Sequence, residues 1–342
     1  MTVIIKKEPF GKTQDGKEVT RFVFEGGRVT VAVLDFGCAI QSVHAPDNQG
    51  RLTDVALGYD QVQGYEKNLP YFGVVVGRVA GRIAGGRFSM DGQDYSLTIN
   101  NGPNNIHGGV TGFSRRLWQS SIDGNVLKMT YNSPDGEDGF PGDVNVTVTY
   151  ELSEDGSLTL EYTATSSKPC PINLTNHVYL NLSGHNSDDV FDHVAQITAD
   201  TYVPVNNDLI PTGELSPVAD TAVDLRQPTR LRERELAIRR GDLDVTYCVG
   251  QNGTLKLVSR ISHPESGRFI DTFTTEPGLQ FYTAKYMADA VGKGNKQYQP
   301  FASFCLETQH YPDSVNHSNF PNTILRPGET YRQKTIYTFG VE

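Results

Sequence analysis

Polar and apolar residues alternate with a period of two over long stretches of this chain. Val144-Asn145-Val146-Thr147-Val148-Thr149-Tyr150 and Ser157-Leu158-Thr159-Leu160-Glu161-Tyr162-Thr163 show it most plainly. Such spacing sends successive side chains to opposite faces and predicts half-buried strands. Arg28 to Asp35 alternates at first and then becomes continuously apolar, as a strand entering a core would. Asp-Gly pairs at Asp91-Gly92, Asp123-Gly124 and Asp155-Gly156 mark hairpin turns, and Asn252-Gly253 marks a fourth between Tyr247-Cys248-Val249 and Leu255 to Val258. Further strands are expected over Phe269–Thr275, Leu279–Thr283 and Tyr331–Phe339. Leu231 to Arg240 is the longest helical candidate, with Gln61 to Lys67 a short helix or loop. No linker or repeat divides the chain. The pattern predicts an all-β fold, a large single-domain antiparallel β-sandwich spanning 1–342, with a two-domain all-β arrangement as the alternative.

Composition narrows the function. The 342 residues carry a net charge of −10, which argues against a nucleic-acid surface. No apolar run reaches the roughly 18 residues of a membrane helix, and the stretch from Met1 to Lys7 lacks a signal-peptide core, so the expectation is a cytoplasmic protein with no membrane partner. The cysteines Cys38, Cys170, Cys248 and Cys305 are far apart and read as buried free thiols. The basic stretch Arg226 to Arg240 is interleaved with acids and reads as a solvated face. There is no metal-ligand spacing among the eight histidines, and His185 and His193 sit in what reads as an exposed loop. Phosphate-loop, dinucleotide and nucleophile-elbow motifs are missing too, so neither a metal nor a cofactor is expected.

Two segments remain to carry chemistry. Asn173-Leu174-Thr175-Asn176-His177-Val178-Tyr179-Leu180-Asn181-Leu182 alternates only imperfectly around His177, which suggests polar groups turned toward an enclosed cavity. Phe304-Cys305-Leu306-Glu307-Thr308-Gln309 places one carboxylate in a strand, where burial without a partner is costly. A histidine and a carboxylate on one small ligand make an acid/base pair. His107, in Asn104-Asn105-Ile106-His107-Gly108-Gly109, reads either as a turn residue or as a ligand contact. Arg78 and Arg82, four apart among glycines, read as hydrogen-bond donors or as a surface ion pair.

With these residues in view, the chain resembles the aldose 1-epimerase (galactose mutarotase) family. The matching segments include Gly77-Arg78-Val79-Ala80-Gly81-Arg82-Ile83-Ala84, Asn105-Ile106-His107-Gly108-Gly109, Ser133 to Gly142, Asn173 to His177, Thr275 to Thr283, Cys305-Leu306-Glu307-Thr308-Gln309 and Leu325 to Glu329. Each is weak alone; together, in family order over nearly the whole chain, they are specific. The resemblance implies a galactose mutarotase-like supersandwich and an isomerase that interconverts the α and β anomers of aldohexoses such as galactose and glucose. It implies Glu307 as general base, His177 as general acid, and Arg82, His107, Asp244 and Gln280 as sugar-binding residues. It implies no cofactor, a small-molecule aldohexose as partner, and a monomer or weak dimer. Two positions depart from the family pattern. Gly81 stands where Asn often precedes the arginine, and Asp244-Val245 stands where the family has Asp-His, leaving Asp244 or Asp242 as the aspartate at the sugar.

The competing classes are a glycoside hydrolase, a non-catalytic sugar-binding module and an enzyme acting on hexose 6-phosphates. The first usually needs two opposed carboxylates, and Asp244 is the only other one among these site residues. The second would not need the His177/Glu307 pair, and the third would want extra basic residues at the cleft mouth.

Overall fold

A computed structural model describes residues 2–67, 69–241, 243–250, 253–287 and 290–342. The predicted hairpins at three Asp-Gly turns form. Arg87–Met90 pairs with Gln93–Ser96, Gln119–Asp123 with Val126–Ser133, and Val144–Leu152 with Ser157–Ser166. In Val144–Leu152 the even-numbered residues are buried and most odd-numbered ones are not, which is the two-residue period of the sequence made visible.

Three larger antiparallel sheets organise these strands. A five-stranded sheet runs in chain order from Ile4–Lys12 to Leu52–Asp54. A nine-stranded sheet contains both later hairpins and continues through Tyr331–Val341, Arg268–Thr274, Lys256–His263, Val194–Ile197 and Thr229–Arg230. A six-stranded sheet has the order Tyr179–Leu180, Phe304–Gln309, Gly278–Tyr282, Asp244–Cys248, Thr201–Val203, Ser216–Pro217. The last two pack face to face. Tyr337 donates from its hydroxyl to the Leu306 carbonyl at 2.7 Å, and the Thr308 and Thr335 hydroxyls meet at 2.6 Å. One continuous apolar cluster joins all three sheets, including Phe22, Val31, Val148, Leu160, Leu279 and Leu306. Burial of this size is the main drive for the fold.

Several expectations are revised. The strands flanking Asn252-Gly253 do not pair with each other: Asp244–Cys248 joins the six-stranded sheet and Lys256–His263 the nine-stranded one, while Asn252 lies outside the described residues. Leu231–Arg240 is a 3-10 turn over Leu231–Arg234 followed by a helix over Glu235–Arg240. Its basic residues are solvated as expected, with Arg239 pairing Glu235. His193 is buried rather than in an exposed loop. Its Nε2 accepts the Leu182 N–H at 3.0 Å, which fixes the chain as it leaves the His177 segment. All four cysteines are free, but Cys248 is half-buried.

Arg78 is neither a surface residue nor a ligand donor. It is among the largest fully buried side chains, and its guanidinium donates to Ser133 Oγ at 2.9 Å and to the Ser133, Pro134 and Pro141 carbonyls at 3.1, 2.8 and 2.9 Å. A buried planar fork meeting carbonyls on two sides of a loop is what arginine does and lysine cannot. The loop from Ser133 to Gly142 is thereby tied to the segment that carries Arg82.

Candidate active site

Glu307 sits on the central strand Phe304–Gln309, all six residues of which are buried. Residues alternate across that strand: Phe304 and Leu306 enter the apolar core, and Cys305, Glu307 and Gln309 turn the other way. Register places Gln280 directly across from Glu307, and Thr246 across from Gln280. Asp244 on the third strand faces Tyr282. The Glu307, Gln280 and Thr246 part of the floor is therefore set by strand register.

His177 reaches the same floor by a change of partner. Thr175–Asn176 pairs with Val75–Val76, and two residues later Tyr179–Leu180 pairs with Phe304–Gln309. His177 lies at the junction, its N–H donating to the Val74 carbonyl at 2.9 Å and its carbonyl accepting from Gly73 at 3.0 Å. The imperfect alternation of this segment has a different cause from the one expected. Asn173, Asn176 and Asn181 do not face the cavity; their side-chain amides donate to the carbonyls of His310, Gly73 and Ala302. Buried asparagine here bonds backbone carbonyls at the ends of the strands, the Gly73 carbonyl in addition to the Ile40 N–H it already accepts.

His107 arrives from a third direction. Asn105–Ile106 pairs with Arg82–Ile83, and His107 then takes a left-handed conformation at φ 54°. Its N–H donates to the Gly81 carbonyl at 3.1 Å, and its Nδ1 accepts the Gly81 N–H at 3.3 Å, which leaves the ring proton on Nε2. Gly108 follows at φ 83°, where a Cβ would lie 1.9 Å from the Gly77 carbonyl oxygen, so only glycine allows this turn. Gly81 is constrained similarly, since a side chain on its left-handed backbone would meet the Pro312 ring at 2.8 Å. The glycine that departs from the family pattern suits its surroundings here. Val245, the other departure, packs in the core while Asp244 lines the cavity. Asp242 lies outside the described residues.

The result is one cavity of about 340 Å³ lined by the six residues to which the family resemblance gives a role: Arg82, His107, His177, Asp244, Gln280 and Glu307. His177 Nε2 stands 3.6 Å from Glu307 Oε1, with only 6% and 4% of the two side chains exposed. Gln280 Nε2 donates to Asp244 Oδ1 at 2.6 Å while its Oε1 accepts from Thr246, so both ends of that amide are held. Arg82 is oriented by Asn101, to whose Oδ1 its Nε donates at 2.9 Å. The walls are aromatic, a feature the sequence's many Tyr and Phe did not localise. Tyr179 stacks on His177 at 4.8 Å, Tyr71 packs 4.8 Å from His107, and Tyr282 and Tyr286 stack with each other. Tyr71, Thr246, Tyr282 and Gln309 were not singled out from sequence, because each carries an ordinary strand or loop residue type with no local motif.

Electrostatics follow from burial. Burial, and then the charge of Asp244, pushes the Glu307 carboxyl well above its ordinary range. Burial lowers His177 to about 3. It also holds His107 well below the ordinary histidine value, with His177 and Arg82 adding to the effect. Asp244 is raised by burial, against the pull of Arg82 and the Gln280 hydrogen bond. No metal-ligand spacing exists in the sequence, yet in space His177, Cys305 and Glu307 place one ligand atom each within 4.8 Å of one another. Burial, and then the charge of Glu307, drives the Cys305 thiol up.

Comparison with known proteins bears on what this cavity is for. The sequence matches the aldose 1-epimerase family over residues 21–338. The chain belongs to the aldose 1-epimerase family. It is 42% identical to galactose mutarotase from Rattus norvegicus, over 99% of both chains, and 35% identical to aldose 1-epimerase from Escherichia coli, over 92% of this chain and 93% of the relative. Among solved structures, an aldose epimerase homologue from C. elegans is 30% identical and superposes with a TM-score of 0.87 over 99% of both chains. A galactose 1-epimerase from Lactobacillus acidophilus shares the fold at 23% identity, with a TM-score of 0.83 over 99% of both. The protein is thus an enzyme of the isomerase type with the galactose mutarotase-like β-sandwich. Among the described residues no helix is long and apolar enough to cross a membrane.

Proposed function

We propose that this aldose 1-epimerase interconverts the α and β anomers of aldohexoses such as D-galactose and D-glucose, with Glu307 as general base and His177 as general acid. The observation that carries the reading is the 3.6 Å pair of Glu307 and His177, buried together on the floor of a sugar-sized cavity. Anomer exchange removes the proton from the anomeric hydroxyl O1 and delivers one to the ring oxygen O5. The C1–O5 bond breaks, the aldehyde turns about C1–C2, and reclosure on the other face reverses both transfers. Only protons pass between protein and sugar, so the chain's own acid and base suffice.

Glu307 takes the O1 proton and His177 Nε2 supplies the one for O5. In the empty site both groups favour their neutral forms, and the pair reaches its working state when Glu307 passes its proton to His177, with no change in net charge. Arg82, His107, Asp244 and Gln280 hold the hydroxyls while the aldehyde end turns. Of these, Gln280 and His107 are already fixed by hydrogen bonds that do not involve the ligand. Pre-set donors reduce the ordering that binding would otherwise cost. In this reading the whole chain, 1–342, acts as one domain, as a monomer or weak dimer. Its four free thiols suit the cytoplasm.

The test follows the optical rotation of freshly dissolved α-D-galactose. Wild type is expected to accelerate the change, and Glu307→Gln and His177→Asn are each expected to lose about 10² to 10⁴ of that acceleration. Chelators should leave the wild-type rate unchanged. A wild type that binds galactose but leaves the spontaneous rate untouched would falsify the enzymatic reading.

A further inference from the structure

Gln309 is buried and lines the same cavity, yet its Oε1 has no hydrogen-bond partner in the protein. Its cross-strand neighbour is Gly278, which offers no side chain to meet it. The contrast with Gln280, two residue pairs along the same two strands, is sharp, because both ends of the Gln280 amide are occupied. A buried carbonyl left unpaired is disfavoured relative to one that accepts a hydrogen bond. The last torsion of glutamine is broad and roughly two-fold, so this amide can turn either end to a hydroxyl that enters the cavity.

The direction of the sugar follows from the proposed reaction, on which this inference rests. His177 stands at the Cys305 end of strand Phe304–Gln309, its Nδ1 3.5 Å from Cys305 Sγ. A sugar with O1 at Glu307 and O5 at His177 therefore points O5 toward Cys305. The anomeric carbon has two ring neighbours, O5 and C2. With O5 directed to one end of the strand, C2 is directed to the other, where Gln309 lies roughly 7 Å along from Glu307. The geometry points to Gln309 as a further substrate-binding residue, its amide taking the 2-hydroxyl of the sugar.

The test pairs an enzyme change with a substrate change. Mutarotation of D-galactose and of its 2-, 3-, 4- and 6-deoxy forms is compared for wild type and Gln309→Leu, with binding of the same sugars measured by calorimetry. The variant is expected to lose roughly 5- to 100-fold in kcat/KM and in affinity for galactose and for the 3-, 4- and 6-deoxy sugars. For 2-deoxygalactose it should equal wild type within about two-fold, since the hydroxyl that Gln309 meets is gone. An equal loss for all five sugars would mean a merely structural role, and no loss for any would mean no contact; either overturns the inference. If the leucine variant does not fold, Gln309→Asn, which keeps the amide but shortens it, is put through the same five sugars. A wild type that fails to accelerate mutarotation would count against the proposed reaction alone, and the calorimetric comparison would still decide Gln309.

Discussion

Glu307 and His177 are pushed in opposite directions by the same cause. Burial disfavours charge, so it raises the carboxyl and lowers the imidazole to about 3. Over the pH range between those two values the pair holds one proton in total, which is the count the reaction needs. With His177 held near 3, the acid limb of the rate is expected near pH 3 and not at 6.5, where an isolated histidine would titrate. The rate should fall near pH 3, when His177 gains a second proton for the pair, and on the alkaline side, when Glu307 loses the shared one. A pH–kcat/KM profile whose acid limb lies at 6.5 would contradict this. The same shift predicts a conflict between stability and activity. The folded pKa of Glu307 lies above its unfolded value, so the stability carried by the neutral carboxyl is complete below about pH 4.3 and is lost as pH rises. Glu307→Gln, neutral at every pH, is expected to melt above wild type at pH 8 and level with it at pH 4, while being nearly inactive. At this scale much of the site was legible in the sequence. A lone Glu in an apolar strand and a His amid failed alternation stand out because each is expensive to bury. Gln309 and Tyr71 do not, since glutamine and tyrosine are ordinary in strands and loops.

Among elements, Arg78 shows where local reading fails. Arginine four residues from Arg82 in a glycine-rich run is a reasonable ligand candidate, and nothing nearby in sequence reveals that its partners are the carbonyls of Ser133, Pro134 and Pro141. Those contacts are more than 50 residues away along the chain. Arg78→Ala removes a buried donor from the Ser133, Pro134 and Pro141 carbonyls, of which Pro134 keeps the Glu137 N–H, and should destabilise the fold by about 3 kcal/mol, read as a lower midpoint in urea. Arg78→Lys should recover only part of that, because an ammonium cannot span the carbonyls. In whatever fraction stays folded, KM for galactose should be unchanged, since Arg78 does not line the cavity; a raised KM with unchanged stability would show that it touches the sugar after all. Hairpins closed by Asp-Gly were legible because their partners are adjacent in sequence. The Asn252-Gly253 signal misled because the strands on either side take other partners in separate sheets: Asp244–Cys248 pairs with Thr201–Val203 and Gly278–Tyr282, and Lys256–His263 with Val194–Ile197 and Arg268–Thr274.

The molecule as a whole concentrates its chemistry on the strands that are most deeply enclosed. The alternation in sequence was enough to predict an antiparallel sandwich, but the order of nine and six strands depends on pairings between residues far apart, such as Ser157–Ser166 with Tyr331–Val341. Because Glu307, Gln280 and Thr246 share one row across three strands, the proposed acid/base site forms only when those strands pair in register. A slip of one residue would turn Glu307 into the apolar core and Thr308 into the cavity. Loss of activity in urea is accordingly expected to coincide with loss of far-ultraviolet circular dichroism, within about 0.2 M at the midpoint for a cooperative transition. An inactive yet fully β-structured species accumulating before the main transition would show that the row can be misaligned without unfolding. Turnover of a sugar is thus a gauge of strand alignment: a molecule that works has proved, by working, that each of those strands found its correct neighbour.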